Sequence, residues 1–426
     1  MKNLKEYFME EVLQQIKSKE ARNFVQKELA YHLRKSKSEM VAKGLSEEAA
    51  EEKAVLQMGS PSELGQQFNK LHRPRIDWML FGLFICAFGM SLLPLLSVKD
   101  PFAFSIVGNQ TVFIVAGVAT AITMMYFDYR KLEKRKWLFF SFGMLMLLAL
   151  LFIPNLTING TPYIRILGLN ISSITSLPFL FLFWASYLSK QKPKLWVIIP
   201  IYFITAFLFV SLAALPVAMI YSLLILVLFW GGAFKKKTVY ITTGIVASMA
   251  ILLSILLWVV GKPYQKDRIV GFLSPESDPS GSGYLYLKIK ELIVGGGWFG
   301  NEKAPQFVPE MSTNFPFANV TYYYGWLVAS GLVLVLVLLA CRMLFITKKI
   351  NDPFGKQLVT GAIALFSIQF LYNIGMSLGM LPFISISLPF ISYGLTPAIL
   401  NSFIIGVALS VYRRKDFVSK VAVRKI

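Results

Sequence analysis

The sequence is short of charge, cysteine and histidine. Only 15% of its 426 residues are charged. A soluble protein of this length would have more surface than so few charged residues can cover. The two cysteines, Cys86 and Cys341, lie in apolar runs, which excludes a disulfide framework and a zinc cluster. The two histidines, His32 and His72, precede the first apolar run. A histidine-based catalytic triad or metal site in the apolar part is therefore excluded.

Long apolar runs fill most of the chain, and 55% of its residues are hydrophobic. A helix needs roughly 20 apolar residues to cross the hydrocarbon core of a bilayer. Ten runs approach that length, and they predict an all-α polytopic membrane protein with ten transmembrane helices. The candidate spans are 77–98, 109–127, 137–154, 172–189, 195–211, 214–232, 239–260, 322–345, 357–380 and 396–412.

The charges give an independent test of that count. The chain has 43 Lys and Arg against 23 Asp and Glu, and cytoplasmic loops carry the Lys/Arg excess in membrane proteins. With the N-terminus inside, every inner loop is basic, including Lys235, Lys236 and Lys237. We therefore predict a multi-pass plasma-membrane protein with both termini cytoplasmic. The net charge of +20 suits anionic lipid of the inner leaflet, so the lipid bilayer is the expected partner and nucleic acid is not.

Residues 1–74 differ from the rest because charges of both signs are dense there. Phe8, Val12 and Ile16 recur at fourfold spacing, which indicates one buried helix face. Ser60 followed by Pro61 and Glu63 has the sequence of a capping box at a helix start. We predict a small cytoplasmic helical bundle here, either an accessory domain or a docking or sensing module, ahead of a membrane domain at 75–426.

Two segments between the predicted spans look like more than connectors. Residues 261–321 form a predicted external loop that is far longer than most connections. Residues 381–394 contain two prolines and repeat LPFIS, so they cannot form a continuous helix and are expected to make a packed turn. The spans hold almost no ionisable groups, so acid–base chemistry would need the acids of the long loop, with Asp267 and Glu310 the best placed.

Several ordered motifs resemble one family of membrane proteins. The stretch NIGMSLGMLPFISISLPFISYG at 373–394 is similar to the signature of the SEDS family (shape, elongation, division and sporulation), to which RodA, FtsW and SpoVE belong. The loop resembles the family in order and spacing at 266–284, in the glycine-rich 295–300 and at 308–318, and 163–165 does so weakly. The resemblance covers about 75–426, and residues 1–74 lie outside it.

The resemblance implies a glycosyltransferase of the bacterial plasma membrane that polymerises peptidoglycan from lipid II on the outer face. The expected partners are lipid II, or a related polyprenyl-diphosphate precursor, and a class B penicillin-binding transpeptidase. Such chemistry needs a carboxylate base for a sugar hydroxyl and cations for the departing diphosphate. The resemblance implies substrate-binding roles for Arg268, Arg165, Gly297 and Tyr393. No protein-bound cofactor is expected, although a divalent cation is compatible with a diphosphate.

The sequence departs from the family where chemistry is done. The resemblance places an essential aspartate at the position of Asn314, and an amide cannot take a proton at neutral pH. The acids expected before Gly325 are the tyrosines Tyr322, Tyr323 and Tyr324. The residues that shape the backbone are retained, whereas the polar ones are changed.

Three functions therefore remain open. The chain is an active glycosyltransferase with Glu310 or Asp267 as a substitute base, or a non-catalytic homologue that binds a partner or precursor and regulates envelope growth. The third possibility is a transporter (flippase) of lipid-linked precursors. Charge is sparse in the predicted spans, which counts against the transporter because a diphosphate needs a polar path. Elongation, division and sporulation are equally compatible with the sequence.

Overall fold

The computed structural model describes residues 4–96, 103–158, 160–166, 169–190, 193–260, 263–303 and 308–417. These residues fall into two units. The first contains the chain up to Asp77 together with the residues from Tyr412 onward, and the second is Trp78–Val411.

The first unit is a bundle of four helices that we call the head. They are α1 (Leu4–Gln14), α2 (Lys19–Val41), α3 (Glu47–Leu56) and α4 (Pro61–Leu71). The helix face predicted from fourfold spacing is confirmed at Phe8 and Val12 of α1, and Ile16, which lies just beyond the end of α1, is buried as well. They form one apolar cluster with Val25 and Leu29 of α2, so the helices are held together by the hydrophobic effect.

The predicted capping box at the start of α4 is not formed. Ser60 precedes the first residue of the helix, but its side chain makes no capping hydrogen bond. Its hydroxyl lies 3.2 Å from the hydroxyl of Ser62 instead. Pro61 at the first helical position still favours a helix start here, because its N–H would have no partner there anyway.

The C-terminal tail completes the head. Arg414 donates a hydrogen bond of 2.8 Å to Glu20, and the ring of Phe417 stacks on Phe24 at 5.8 Å. The Nδ1 atom of His72 lies 2.8 Å from the carbonyl oxygen of Asp416. The sequence predicts a membrane domain at 75–426, and in the structure residues 412–417 group with the head.

The second unit is mostly helical. Its helices are α5 (Trp78–Met90), α6 (Leu93–Leu96), α7 (Ala103–Tyr126), α8 (Arg130–Glu133), α9 (Lys136–Phe152), α10 (Leu177–Leu188), α11 (Leu195–Ser211), α12 (Leu215–Trp230), α13 (Lys236–Val260), α14 (Pro263–Leu273), α15 (Tyr284–Gly295), α16 (Pro316–Lys348), α17 (Pro353–Ser377) and α18 (Leu395–Arg413).

Five helical stretches of the described chain are long and apolar enough to cross a membrane: Trp78–Leu96, Ser105–Tyr126, Pro316–Lys348, Pro353–Ser377 and Leu395–Arg413. Four shorter apolar helices lie at other predicted spans: Lys136–Phe152, Ser173–Leu188, Leu195–Ser211 and Leu215–Trp230. The chain is therefore a membrane protein, and its number of crossings stays a prediction.

The prediction of an all-α fold was wrong in one place. Strands β1 (Leu156–Ile158), β2 (Thr161–Ile166) and β3 (Leu169–Ile171) form an antiparallel sheet in the order β1-β2-β3. The sequence carried a signal for it, because Asn-Gly at 159–160 is the pair favoured in two-residue hairpin loops. Gly160 has a φ of +78°, which suits that turn.

The long loop and the proline-containing segment both have structure. The range predicted as loop, 261–321, contains α14, α15 and the beginning of α16. Helix α16 bends at Gly325, which has φ +78° and ψ 173°. Residues 381–394 lie between α17 and α18 without helix, as predicted.

Candidate functional site

Asn314, at the position where the family resemblance places an aspartate, lies in a tight turn just before α16. Glu310 has a φ of +57°, and its carbonyl oxygen accepts hydrogen bonds from the backbone N–H groups of Thr313 (3.1 Å) and Asn314 (2.8 Å). The side-chain amide of Asn314 donates to the carboxylate of Glu310. The two candidate residues that lie four positions apart in sequence are therefore in direct contact.

The segment 381–394 makes hydrogen bonds to this turn. The backbone N–H of Tyr393 donates to the carbonyl of Ser312 at 3.0 Å, and the hydroxyl of Ser392 donates to the carbonyl of Thr313 at 2.6 Å. The Asn314 amide also lies 3.3 Å from the hydroxyl of Ser385. The LPFIS repeat thus supplies side chains and backbone to the turn of Glu310.

Asn373, near the end of α17, joins the two segments. Its Nδ2 atom donates to the carbonyl oxygen of Asn314 at 2.9 Å and to that of Ile386 at 2.7 Å. Asn373 is fully buried, where hydrogen-bonded polar groups fix a local arrangement strongly. Neither Asn373 nor Ser385 was predicted as a site residue, although both lie in the motif at 373–394. We call Glu310, Asn314, Asn373 and Ser385 the polar cluster.

The polar cluster offers one group able to take up a proton. Glu310 is exposed and Asn314 is half-buried, so the carboxylate is open to a ligand from solvent. The amide at 314 can orient the carboxylate, but it cannot replace it as a base.

The end of the segment 381–394 also lines an apolar cavity. Its volume is about 630 Å³, within the range of small-molecule sites. Tyr393 is one of its lining residues, and the ring of Tyr393 lies 5.6 Å from the ring of Phe113, which also lines the cavity. Further lining residues are Leu169, Phe179, Leu182, Leu400 and Phe403. Tyr393 therefore belongs both to the hydrogen-bonded surroundings of the Glu310 turn and to the lining of the cavity.

Gly297 has a role in the backbone. It lies in the turn after α15 with a φ of +55°, and its carbonyl accepts a hydrogen bond of 2.9 Å from the N–H of Trp326. A Cβ atom added at neighbouring Gly296 would overlap the carbonyl of Thr321. These glycines let the turn approach the α16 backbone closely, which accounts for them without a ligand.

The remaining predicted residues lie on other elements. Asp267 and Arg268 belong to α14, where Asp267 is exposed and the side chain of Arg268 is outside the described part of the structure. Arg165 is exposed on β2. Its backbone N–H donates to Asn155 Oδ1 at 2.7 Å, and its carbonyl accepts from Asn155 Nδ2 at 3.0 Å.

Within the described residues, no group of three or more His, Cys, Asp or Glu side chains is placed to hold a metal ion. A cation held jointly by a diphosphate and a single carboxylate would not need such a group.

One family model matches most of this chain. The model is that of the FtsW/RodA/SpoVE proteins, described as "Cell cycle protein", and it matches residues 75–416. That range contains the polar cluster and the cavity and leaves out the four helices of the head.

Curated relatives match over different lengths. The Escherichia coli K12 protein named peptidoglycan glycosyltransferase MrdB is 31% identical over 181 residues, which cover 41% of this chain and 49% of that protein. The chain thus spans about half the length of that relative. A Geobacter metallireducens protein named probable peptidoglycan glycosyltransferase FtsW is 26% identical, covering 78% and 91%. Stage V sporulation protein E of Bacillus subtilis is 32% identical, covering 36% and 44%.

Two solved structures share the fold. One, described as structural coordination of polymerization and crosslinking by a peptidoglycan synthase complex, has a TM-score of 0.69 at 22% identity and covers 80% of this chain and 98% of that one. The other, rod shape determining protein RodA of Thermus thermophilus, has a TM-score of 0.57 at 19% identity, with coverage of 80% and 97%.

Proposed function

The chain belongs to the FtsW/RodA/SpoVE family of cell cycle proteins, and on that premise we propose that it binds a lipid-linked peptidoglycan precursor and acts in bacterial cell-wall synthesis. We further propose ten crossings, cytoplasmic termini and an external position for the polar cluster. The basic loops between alternating apolar runs support this orientation. A class B penicillin-binding transpeptidase is the proposed protein partner.

The position of Tyr393 is the observation that carries the proposal. Its backbone is bonded to the turn of Glu310, and the same residue lines the apolar cavity. A precursor such as lipid II has a polar diphosphate–sugar head on a long apolar chain. Such a molecule suits a site in which the polar cluster and the apolar cavity are linked through Tyr393, because each part then lies in its own kind of surroundings.

The chemistry that this site supports best is glycosyl transfer with Glu310 as the base. The 4-hydroxyl of one sugar attacks the anomeric carbon of a second, a new C–O bond forms, and the bond from that carbon to the diphosphate breaks. The hydroxyl proton passes to the Glu310 carboxylate, and the Asn314 amide holds that carboxylate in place. Arg165, Arg268 or a divalent cation would neutralise the departing diphosphate.

The second candidate is a regulator that binds the precursor without polymerising it. The amide at 314 favours this candidate, since it removes the acid that the family resemblance places there. Both candidates use the same site, and they differ in whether Glu310 is sufficient as the base.

Purified full-length chain in liposomes with labelled lipid II separates the candidates. We expect glycan polymer from the wild type and a loss of at least about tenfold with Glu310→Gln, since general base catalysis contributes about 10²–10⁴-fold. Glu302→Gln is the matched control, because Glu302 is also an exposed loop acid. Asn314→Asp should raise the rate.

Each other outcome points to a different function. Precursor binding without polymer, in wild type and Asn314→Asp alike, would overturn the enzyme and support the regulator. Movement of labelled precursor across the bilayer without polymer would support a transporter. Equal activity of Glu310→Gln and Glu302→Gln would remove Glu310 from the mechanism.

A further inference from the structure

Two large aromatic side chains project from the glycine-rich turn that follows α15. Trp298 is 73% exposed and Phe299 is 86% exposed. Neither side chain takes part in the proposed reaction. Exposing two adjacent aromatic rings to water is unfavourable, so their surroundings need a physical explanation.

Hydrogen bonds fix this turn to one end of an apolar helix. The N–H of Trp326 donates to the carbonyl of Gly297 at 2.9 Å, and that of Leu327 donates to the carbonyl of Trp298 at 3.3 Å. Asn301 also bonds to the carbonyl of Tyr322 at 2.8 Å. The turn therefore lies at the same height as the beginning of the apolar part of α16.

That apolar part matches the thickness of a membrane. Residues 326–346 rise about 30 Å at 1.5 Å per residue, which equals the hydrocarbon core. Its one charged residue, Arg342, lies near the far end, where a long side chain can reach the headgroups. Leu327 and Leu334 on this helix are 59% and 57% exposed, as expected of a surface in lipid.

We propose that Trp298 and Phe299 insert into the interfacial layer of the bilayer and anchor the loop to the membrane surface. The backbone hydrogen bond between Trp298 and Leu327, whose side chain is exposed on α16, favours lipid as the occupant over a protein partner. Aromatic side chains concentrate at this depth, since the ring enters the apolar layer while the Trp indole N–H remains near the headgroups.

The anchor would set the height of the polar cluster. Ile289 and Leu292 of α15 pack in one apolar cluster with Phe315, which directly precedes α16, and with Tyr322 of α16. Phe315 directly follows Asn314, so the turn and the polar cluster are parts of one packed body. A site held at a fixed height suits a substrate whose head is tied to a lipid. The anchor does not depend on whether Glu310 is catalytic.

Spin labels in proteoliposomes of phosphatidylethanolamine and phosphatidylglycerol test the depth. A spin label is attached at Phe299→Cys in a Cys86→Ala, Cys341→Ala background. The experiment compares how often the label collides with oxygen, which concentrates in lipid, and with a nickel chelate that stays in water. Ser280→Cys, at an exposed position of the loop, is the water reference. Leu338→Cys, at an exposed position on α16, is the lipid reference.

We expect the oxygen-to-nickel ratio at 299 to lie between the two references and several-fold above that at 280. A ratio equal to that at 280 would overturn the anchor in favour of an aqueous turn. Low access to both reagents would overturn it in favour of a surface covered by protein.

A second measurement keeps both aromatic rings in the reference chain. Tryptophan quenching by brominated lipids is compared between the wild type and Trp298→Phe. The substitution should remove more of the quenching by bromines near the headgroup than of that by bromines at the chain end. Equal losses from both lipids, or no loss from either, would contradict an interfacial position.

Discussion

The head and the membrane unit place their polar and apolar side chains in opposite ways. In the head, Val12 and Leu29 are buried and acids such as Glu48 face outward. In the membrane unit, Leu334 is 57% exposed while the amides of Gln369 and Asn373 are buried. Helices of the same geometry thus carry reversed surfaces, which shows that the surrounding solvent decides which face of a helix is apolar.

The two units should differ most in how much stability they lose when a charge replaces an exposed leucine. Leu334→Asp puts an acid in the middle of α16, where insertion scales give a cost of about 2.5–3.5 kcal/mol. Leu56→Asp in the head alters a residue that is 69% exposed, and we expect a change within about 0.5 kcal/mol. Unfolding of both variants in lipid nanodiscs measures the difference. Equal destabilisation would mean that the exposed face of α16 is not in lipid.

A buried ion pair departs from the pattern of the head, and removing it should have the next largest effect. The Arg414 side chain is 0% exposed and is bonded to Glu20. Breaking a fully buried ion pair costs about 3–5 kcal/mol. Because the Glu20 side chain is 38% exposed, we expect Arg414→Ala to destabilise the head by about 2 kcal/mol.

Hydrogen exchange of α2 amides in the full-length chain measures that loss. Lys43→Ala is the control, since Lys43 is an exposed cation of the same unit. Unchanged exchange in Arg414→Ala would show that the tail adds nothing to the stability of the bundle.

The smallest expected effect concerns pH at the edge of the membrane unit. Burial and the neighbouring ammonium of Lys190 lower the pKa of Lys136 to about 8, whereas an unfolded lysine titrates near 10.4. Between these values the unfolded chain binds a proton that the folded chain has released, so the stability should rise as the pH increases.

Thermal unfolding across this pH window checks the sign. Lys136→Met should flatten the rise, whereas Lys131→Met, at an exposed position on α8, should leave it in place. A stability that falls with pH in the wild type, by an amount that depends on Lys136, would contradict the assignment.

Local patterns predicted those parts of the fold that depend on near neighbours. The fourfold spacing of Phe8, Val12 and Ile16 identified a buried face, and the two prolines of 381–394 excluded a helix there. The Asn-Gly pair at 159–160 signalled a hairpin, but an all-α prediction left it unused. Ser60 stands at a position typical of a helix cap, but its hydroxyl pairs with the hydroxyl of Ser62 instead of the helix backbone.

The sequence predicted only two of the four residues of the polar cluster. Glu310 and Asn314 lie close enough along the chain for one turn to bring them together. Ser385 and Asn373 reach the same place through long-range packing, and no local spacing rule relates them to Asn314. The family resemblance marked their segment without saying which side chains point into the site.

The inclusion of residues 412–417 in the head has a practical consequence for genetics. A truncation that removes 1–74 would strip Glu20 from Arg414 and Phe24 from Phe417, leaving a charged and an aromatic side chain newly uncovered at the end of the last helix. A growth defect after such a deletion would report this damage together with any loss of signalling. Substitutions on the outward face of α3, for example at Glu48, separate the two.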